Sequence, residues 1–178
     1  MASVSRLGRQ IEEVIVTLNG LGASFALIGG LALASHKVIR ATQDVDLLVD
    51  AERADGIDAA VAALGYRCLH RSAEAANYAR GDERLDFLFA SRPIARRLLA
   101  AAPEFATAFG HLRVVSTEGL IGFKLQGLVN DSRRTQDLED IRALLRANRS
   151  TLDMLEVRDY FRLFEREPLL DEILNDSQ

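Results

Sequence analysis

The chain has 178 residues and a mass of 19.6 kDa, which suits one domain or one domain with a small appendage. A hydrophobic fraction of 48% and a charged fraction of 27% are ordinary globular values and exclude a disordered chain. The formal charge of −4 excludes a strongly basic nucleic-acid binder, though not a local basic patch.

In chain order, residues 5–20 read as an amphipathic helix, because Leu7, Ile11, Val14, Ile15 and Leu18 recur at helical spacing. Asn19-Gly20 and Gly22 stop it. Ser24 to Ile28 reads as a short strand, Leu31 to Val38 as a helix, and Asp44 to Asp50 (DVDLLVD) as a strand with acids at its start. An Ala-rich helix is expected over 51–64, strands over 66–70 and 85–89, a helix from Pro93 to about Ala101, and a strand over 111–115. Helices are then expected at 117–130, 135–147 and 151–165, with Ser116 or Thr117 as an N-cap. This order predicts an α/β (α+β) fold: a small mixed sheet flanked by helices, with a helical C-terminal third. The expected division is a core over 1–116 and a helical part over 117–178 packed on it.

Charge is unevenly placed: residues 151–178 carry eight acids and three bases, while residues 1–150 are close to neutral. Apolar runs are short and interrupted by charge, so no membrane span is expected. Met1 to Arg9 lacks an apolar segment and a cleavage site, so no secretory signal is expected. The one cysteine, Cys68, excludes an internal disulfide framework and suits a reducing cytoplasm, the expected location.

The chemistry concentrates in Ala26 to Asp50, ALIGGLALASHKVIRATQDVDLLVD. Alternate residues of a strand face one side, so Asp44 and Asp46 project together from an otherwise apolar strand. Two adjacent carboxylates repel unless a cation neutralises them, and hard oxygen donors suit Mg²⁺ or Mn²⁺. Gly29-Gly30 stands upstream, where glycine lets a phosphate approach the backbone. Asp86 interrupts a second apolar strand, RLDFLF. Paired beside the first strand, it would serve as general base on an incoming hydroxyl. Taken alone, it reads as an edge charge paired with Arg84.

Gly-Gly, a helix, then Arg-x-Thr-x-Asp-x-Asp on a strand resembles the motif of the DNA polymerase β-like nucleotidyltransferase superfamily. The later stretch, Gly122-Phe123-Lys124-Leu125 through Arg133-Arg134-Thr135-Gln136-Asp137-Leu138-Glu139-Asp140-Ile141, resembles its AbiEii-like branch. That branch comprises the nucleotidyltransferase toxins of abortive-infection and type IV toxin–antitoxin systems. The resemblance covers roughly residues 20–147. It implies that Asp44, Asp46 and Asp86 form a metal-binding carboxylate triad. Gly29, Gly30, Arg40 and Thr42 would then attend an NTP, with Lys124 and Asp137 serving the nucleotide or the attacking group.

Helix geometry bears on Lys124 and Asp137 independently. At about 100° per residue, Lys124 shares a stripe with Leu120 and Leu128, and Asp137 with Ile141 and Leu144, so both face inward. Two readings stay open: an ion pair tying two helices together, or a pair facing a nucleotide cleft. His36, His70 and His111 show no metal spacing and read as structural. Cys68 reads as a buried, inert thiol. Arg133-Arg134 reads either as a contact for RNA or triphosphate or as an exposed helix-end pair.

The function expected from this is transfer of an NMP from an NTP to an acceptor hydroxyl, with Mg²⁺ or Mn²⁺ and release of pyrophosphate. The expected acceptor is tRNA, another RNA or a protein, with a cognate antitoxin as a further partner. The alternatives are adenylylation of a small molecule such as an aminoglycoside or lincosamide, and a non-catalytic, antitoxin-like partner protein.

Overall fold

The structure is a computed structural model and describes residues 5–176. Residues 1–4, the start of the segment read for a secretory signal, lie outside the described residues. No helix among the described residues is long and apolar enough to cross a membrane. The chain divides into two compact units. One comprises the residues up to Ser35 together with Arg40–Val115, the other His36–Ile39 together with the residues from Ser116 onward.

The first unit opens with α1 (Arg6–Gly20). The Ser5 hydroxyl caps it by accepting from the Gly8 N–H at 3.0 Å, and the helix buries Gln10, Ile11, Val14 and Leu18 on one face. Then follow β1 (Phe25–Leu27), α2 (Gly29–Ser35), β2 (Asp44–Asp50), a 3-10 turn (Ala51–Arg53) and α3 (Ala54–Ala63). Next come β3 (Arg67–Arg71), β4 (Ala75–Arg80), β5 (Glu83–Ala90), α4 (Pro93–Ala101), β6 (Glu104–Thr107) and β7 (Gly110–Arg113). Five strands form one sheet in the order β1-β2-β5-β4-β3. Only β2 and β5 run parallel; the other neighbours are antiparallel. The hairpin β6–β7 is a separate two-stranded sheet.

The sheet has two unlike faces. Val45, Leu47 and Val49 of β2 alternate inward with Leu85, Phe87 and Phe89 of β5 and Ala76 and Tyr78 of β4, all buried. Each large side chain sealed in this way stabilises the fold by about 1.5–3 kcal/mol. Helix α3 meets this face: Asp58 accepts from the Tyr78 hydroxyl and pairs with Arg71, whose guanidinium lies 4.5 Å above the Phe89 ring. Nearby, Arg80 lies 4.5 Å above the Tyr66 ring, and the Tyr66 hydroxyl donates to Glu83 at 3.2 Å. Burial pushes the Tyr66 phenol up to about 12, against the opposing pull of Arg80.

The second unit contains α5 (Thr117–Asn130), α6 (Thr135–Ala147), α7 (Met154–Leu163) and α8 (Glu167–Asn175). Ser116 caps α5 through the Gly119 N–H at 3.1 Å, and Asp153 caps α7 through the N–H groups of Leu155 and Glu156. Gly122 lets α5 and α7 meet closely, since a Cβ there would come within 2.9 Å of the Tyr160 ring. His36 joins this unit: its Nδ1 lies 2.8 Å from the Thr117 hydroxyl, and its carbonyl accepts from the Asn148 amide at 2.9 Å.

The mixed sheet, its flanking helices and the helical C-terminal third match the expected class. Strand β2 and helices α4, α5 and α6 fall where the hydrophobic pattern placed them. Helix α2 begins two residues earlier than expected and ends at Ser35. Strands β4 and β6 and helix α8 were not anticipated. One reading is corrected: Cys68 is exposed, not buried. It lies on β3, an edge strand whose residues are mostly exposed. A short apolar neighbour such as Leu69 does not by itself show that a strand is internal.

Candidate active site

The parallel pairing of β2 with β5 decides the geometry of the acids. Its register sets Asp46 directly beside Asp86, and Asp44 beside Arg84. Directly opposed residues share a face. Asp46 and Asp86 therefore project from the face opposite the Phe87 core, both half-buried, and exposed Asp44 lies two residues back toward the strand start. Strand β4 extends the row, because Asn77 stands opposite Asp86 and its amide donates to Asp86 Oδ1 at 2.8 Å. Arg84 instead bonds the carbonyls of Gly81 and Glu83.

The glycine turn reaches the same place. Gly29 has φ +65°, and a Cβ there would lie 2.1 Å from Asp46 Oδ2. Only glycine combines that backbone with that approach. A Cβ at Gly30 would lie 2.9–3.1 Å from the Thr42 side chain and the Arg40 guanidinium. The Thr42 hydroxyl accepts from the Asp44 N–H at 3.4 Å, which ties the 40–43 loop to the strand start. Gly29, Gly30, Arg40, Thr42, Asp44, Asp46 and Asp86 thus belong to one neighbourhood of the first unit. Helix α2, with seven residues, is too short for its dipole to matter, so the glycines act through close approach.

Lys124 and Asp137 lie in the second unit. They are each 7% exposed, and a third residue, Asp140 at 2%, joins them. The Lys124 ammonium donates to Asp137 at 3.1 Å and to Asp140 at 2.6 Å. Arg134 meets the other Asp137 oxygen at 2.7 Å, and the Gln136 amide donates to Asp140 at 3.0 Å. Gly127 makes room for this cluster, since a Cβ there would crowd both Asp137 and the Arg134 guanidinium. Two cations and two carboxylates form a neutral tetrad. Arg133 is exposed and bonds Asp131, whose carboxyl its guanidinium and N–H hold below the ordinary range.

Asp140 and Asn77 were missed in the sequence. Asp140 had a signal, since it lies three residues after Asp137 and so on the same helix face. Asn77 had none, because Ala-Ala-Asn-Tyr-Ala-Arg does not announce a strand. Asp46 and Asp86 supply hard oxygen donors in one row, with Asp44 on the same face, and this donor set fits Mg²⁺ or Mn²⁺ in kind. Among the described residues, no group of three or more acidic, histidine or cysteine side chains is gathered tightly enough to hold a metal ion.

No protein-family profile matches the chain, and no curated protein matches it either. Solved structures do. The antibiotic-resistance factor ANT(2'')-Ia in solution superimposes with a TM-score of 0.71 at 20% identity, covering 99% of this chain and 100% of that one. Its crystal structure with adenylyl-2''-tobramycin gives a TM-score of 0.67 at 20% identity, over 90% and 98% of the two chains. The lincosamide antibiotic adenylyltransferase LnuA, with lincomycin bound, gives 0.58 at 13% identity, over 79% and 96%. The fold of this chain is therefore that of nucleotidyltransferases.

Proposed function

We propose that the chain is a metal-dependent nucleotidyltransferase that moves an NMP from an NTP to an acceptor hydroxyl. The observation that carries this reading is the Asp46–Asp86 register on parallel strands, with the Gly29 backbone against Asp46. Gly29 and Gly30 give the triphosphate access to the backbone, and Arg40 and Thr42 flank it. Asp44, Asp46 and Asp86 would hold a divalent cation, which when bound supplies positive charge to the phosphate oxygens. Asp86 takes the proton of the acceptor hydroxyl. The acceptor oxygen bonds to the α-phosphorus, the bond from that phosphorus to the bridging oxygen breaks, and pyrophosphate leaves. Lys124 with Asp137 ties α5 to α6 within the second unit.

For the acceptor, a small hydroxylated molecule of antibiotic type is favoured over RNA or protein. The support is the fold shared with ANT(2'')-Ia, whose crystal structure holds adenylyl-2''-tobramycin, together with the net negative charge. A second reading, an RNA or protein acceptor in a toxin-like system with a cognate antitoxin, is supported by the AbiEii-like spacing of Lys124, Arg133, Arg134 and Asp137.

The test is a thermal-shift screen of the four NTPs with and without Mg²⁺, on the wild type and on Asp44→Ala/Asp46→Ala. It is followed by transfer of label from α-³²P-NTP to tobramycin, lincomycin and bulk tRNA. A bound ligand at a hundredfold excess over its Kd stabilises by about 2.7 kcal/mol. A metal-dependent shift lost in the double variant is expected. The absence of a shift with every NTP would overturn the reading and favour the non-catalytic partner protein.

A further inference from the structure

We infer that Asn77 is a positioning residue that sets the plane of the Asp86 carboxylate beside Asp46; this rests on the nucleotidyl-transfer reading. Three observations on the sheet carry it. Asn77, Asp86 and Asp46 occupy one register level across the adjacent strands β4, β5 and β2, so their side chains share a face. The amide nitrogen of Asn77 lies 2.8 Å from Asp86 Oδ1. Strand β4 is internal, paired with β3 on one side and β5 on the other, so the ladder fixes where the amide starts.

An aspartate carboxylate turns broadly about its last torsion. A donor on one oxygen removes that freedom and orients the group toward its neighbour in the row. An ionised carboxylate only accepts, which fixes the facing atom of the amide as nitrogen. The flanking residues on this face of β4, Ala75 and Ala79, are small and apolar, so Asn77 supplies the polar side chain of that face of the strand. Outer groups that bond metal-ligating carboxylates typically control metal affinity or rate by 10–100-fold.

The test is the affinity for Mn²⁺ in the presence of α,β-methylene-ATP, followed by electron paramagnetic resonance. The proteins are the wild type, Asn77→Ala, Asn77→Leu and, as the reference for site-specific binding, Asp46→Asn. We expect Mn²⁺ affinity to fall about tenfold in both Asn77 variants, with thermal midpoints close to wild type. On the unmodified protein, the Asn77 side-chain amide should shift in ¹⁵N NMR spectra when Mg²⁺ is added with the analogue. Where labelled transfer is measurable, kcat should fall while KM for the NTP holds. If the wild type binds Mn²⁺ more tightly than Asp46→Asn but both Asn77 variants match the wild type, the positioning role is overturned and the transferase reading survives. If the wild type binds no better than Asp46→Asn, the transferase reading fails and the Asn77 role with it.

Discussion

Asp137 and Asp140 on α6 are sealed from water, whereas Asp46 and Asp86 on the sheet are only half-buried and Asp44 is exposed. The helical acids are held by cations: Lys124 reaches both carboxylates, and Arg134 adds a second positive charge to Asp137. On the sheet, two acids stand side by side, and Asp86 accepts from the neutral amide of Asn77. Removing a carboxylate and its countercharge from water costs several kcal/mol per ion, which only close pairing offsets. In the tetrad each buried carboxylate meets at least one cation at close range. The row on the sheet instead sets Asp46 and Asp86 side by side at a partly open surface.

The sharpest break of this comparison is expected from Asp46→Asn. Nucleotidyl transfer should fall on the order of a thousandfold with the urea midpoint close to wild type, because the change keeps the size of a half-buried side chain and removes only its charge. A large loss of stability instead would show that the sheet acids are structural. The reciprocal change, Lys124→Met, should cost about 3 kcal/mol or more in urea unfolding, because it leaves two buried carboxylates short of a cation. Combining it with Asp137→Leu and Asp140→Leu should recover most of that loss. A Lys124→Met protein as stable as wild type would contradict a structural tetrad.

Gly29→Ala should come next, at about 2 kcal/mol. It joins a left-handed backbone to a Cβ that collides with the Asp46 side chain. Weakened NTP binding should accompany the loss, whereas Gly81→Ala, with the same backbone sign and open space around it, should leave NTP binding intact. The smallest effect concerns Tyr66, away from both acid clusters. Its folded pKa of about 12 exceeds the ordinary value of 10.0, so the folded state holds the proton more tightly. That contribution is present below pH 10 and is lost as pH rises toward 12. Between those values the wild type should lose stability relative to Tyr66→Phe, read from urea midpoints.

Much of this was legible in the residues. The alternation in DVDLLVD marked both a strand and the face on which its acids stand, and Lys124 in an apolar helical stripe announced a buried ammonium. Other features were not. Strand β4 is a run of alanine, asparagine and arginine with one tyrosine; it becomes a strand by pairing on both sides. Cys68 was misread because nothing local marks β3 as an edge. The candidate site was legible as residue types, but the adjacency of Asp46 and Asp86 was not. They stand 40 positions apart, and only strand register joins them.

Periodicity and spacing alone determined the types of the strongly patterned elements, the inward face of α5 and the clustering of Gly29, Gly30 and the β2 acids within one short stretch. These follow from repeats of 3.6 and 2.0 residues, which are local properties of the chain. Tertiary structure alone decided that Asp86 lies beside Asp46, that Asn77 reaches Asp86 and that Asp140 completes the tetrad around Lys124. Register and side-chain partners arise from packing between distant segments, and no local repeat encodes them.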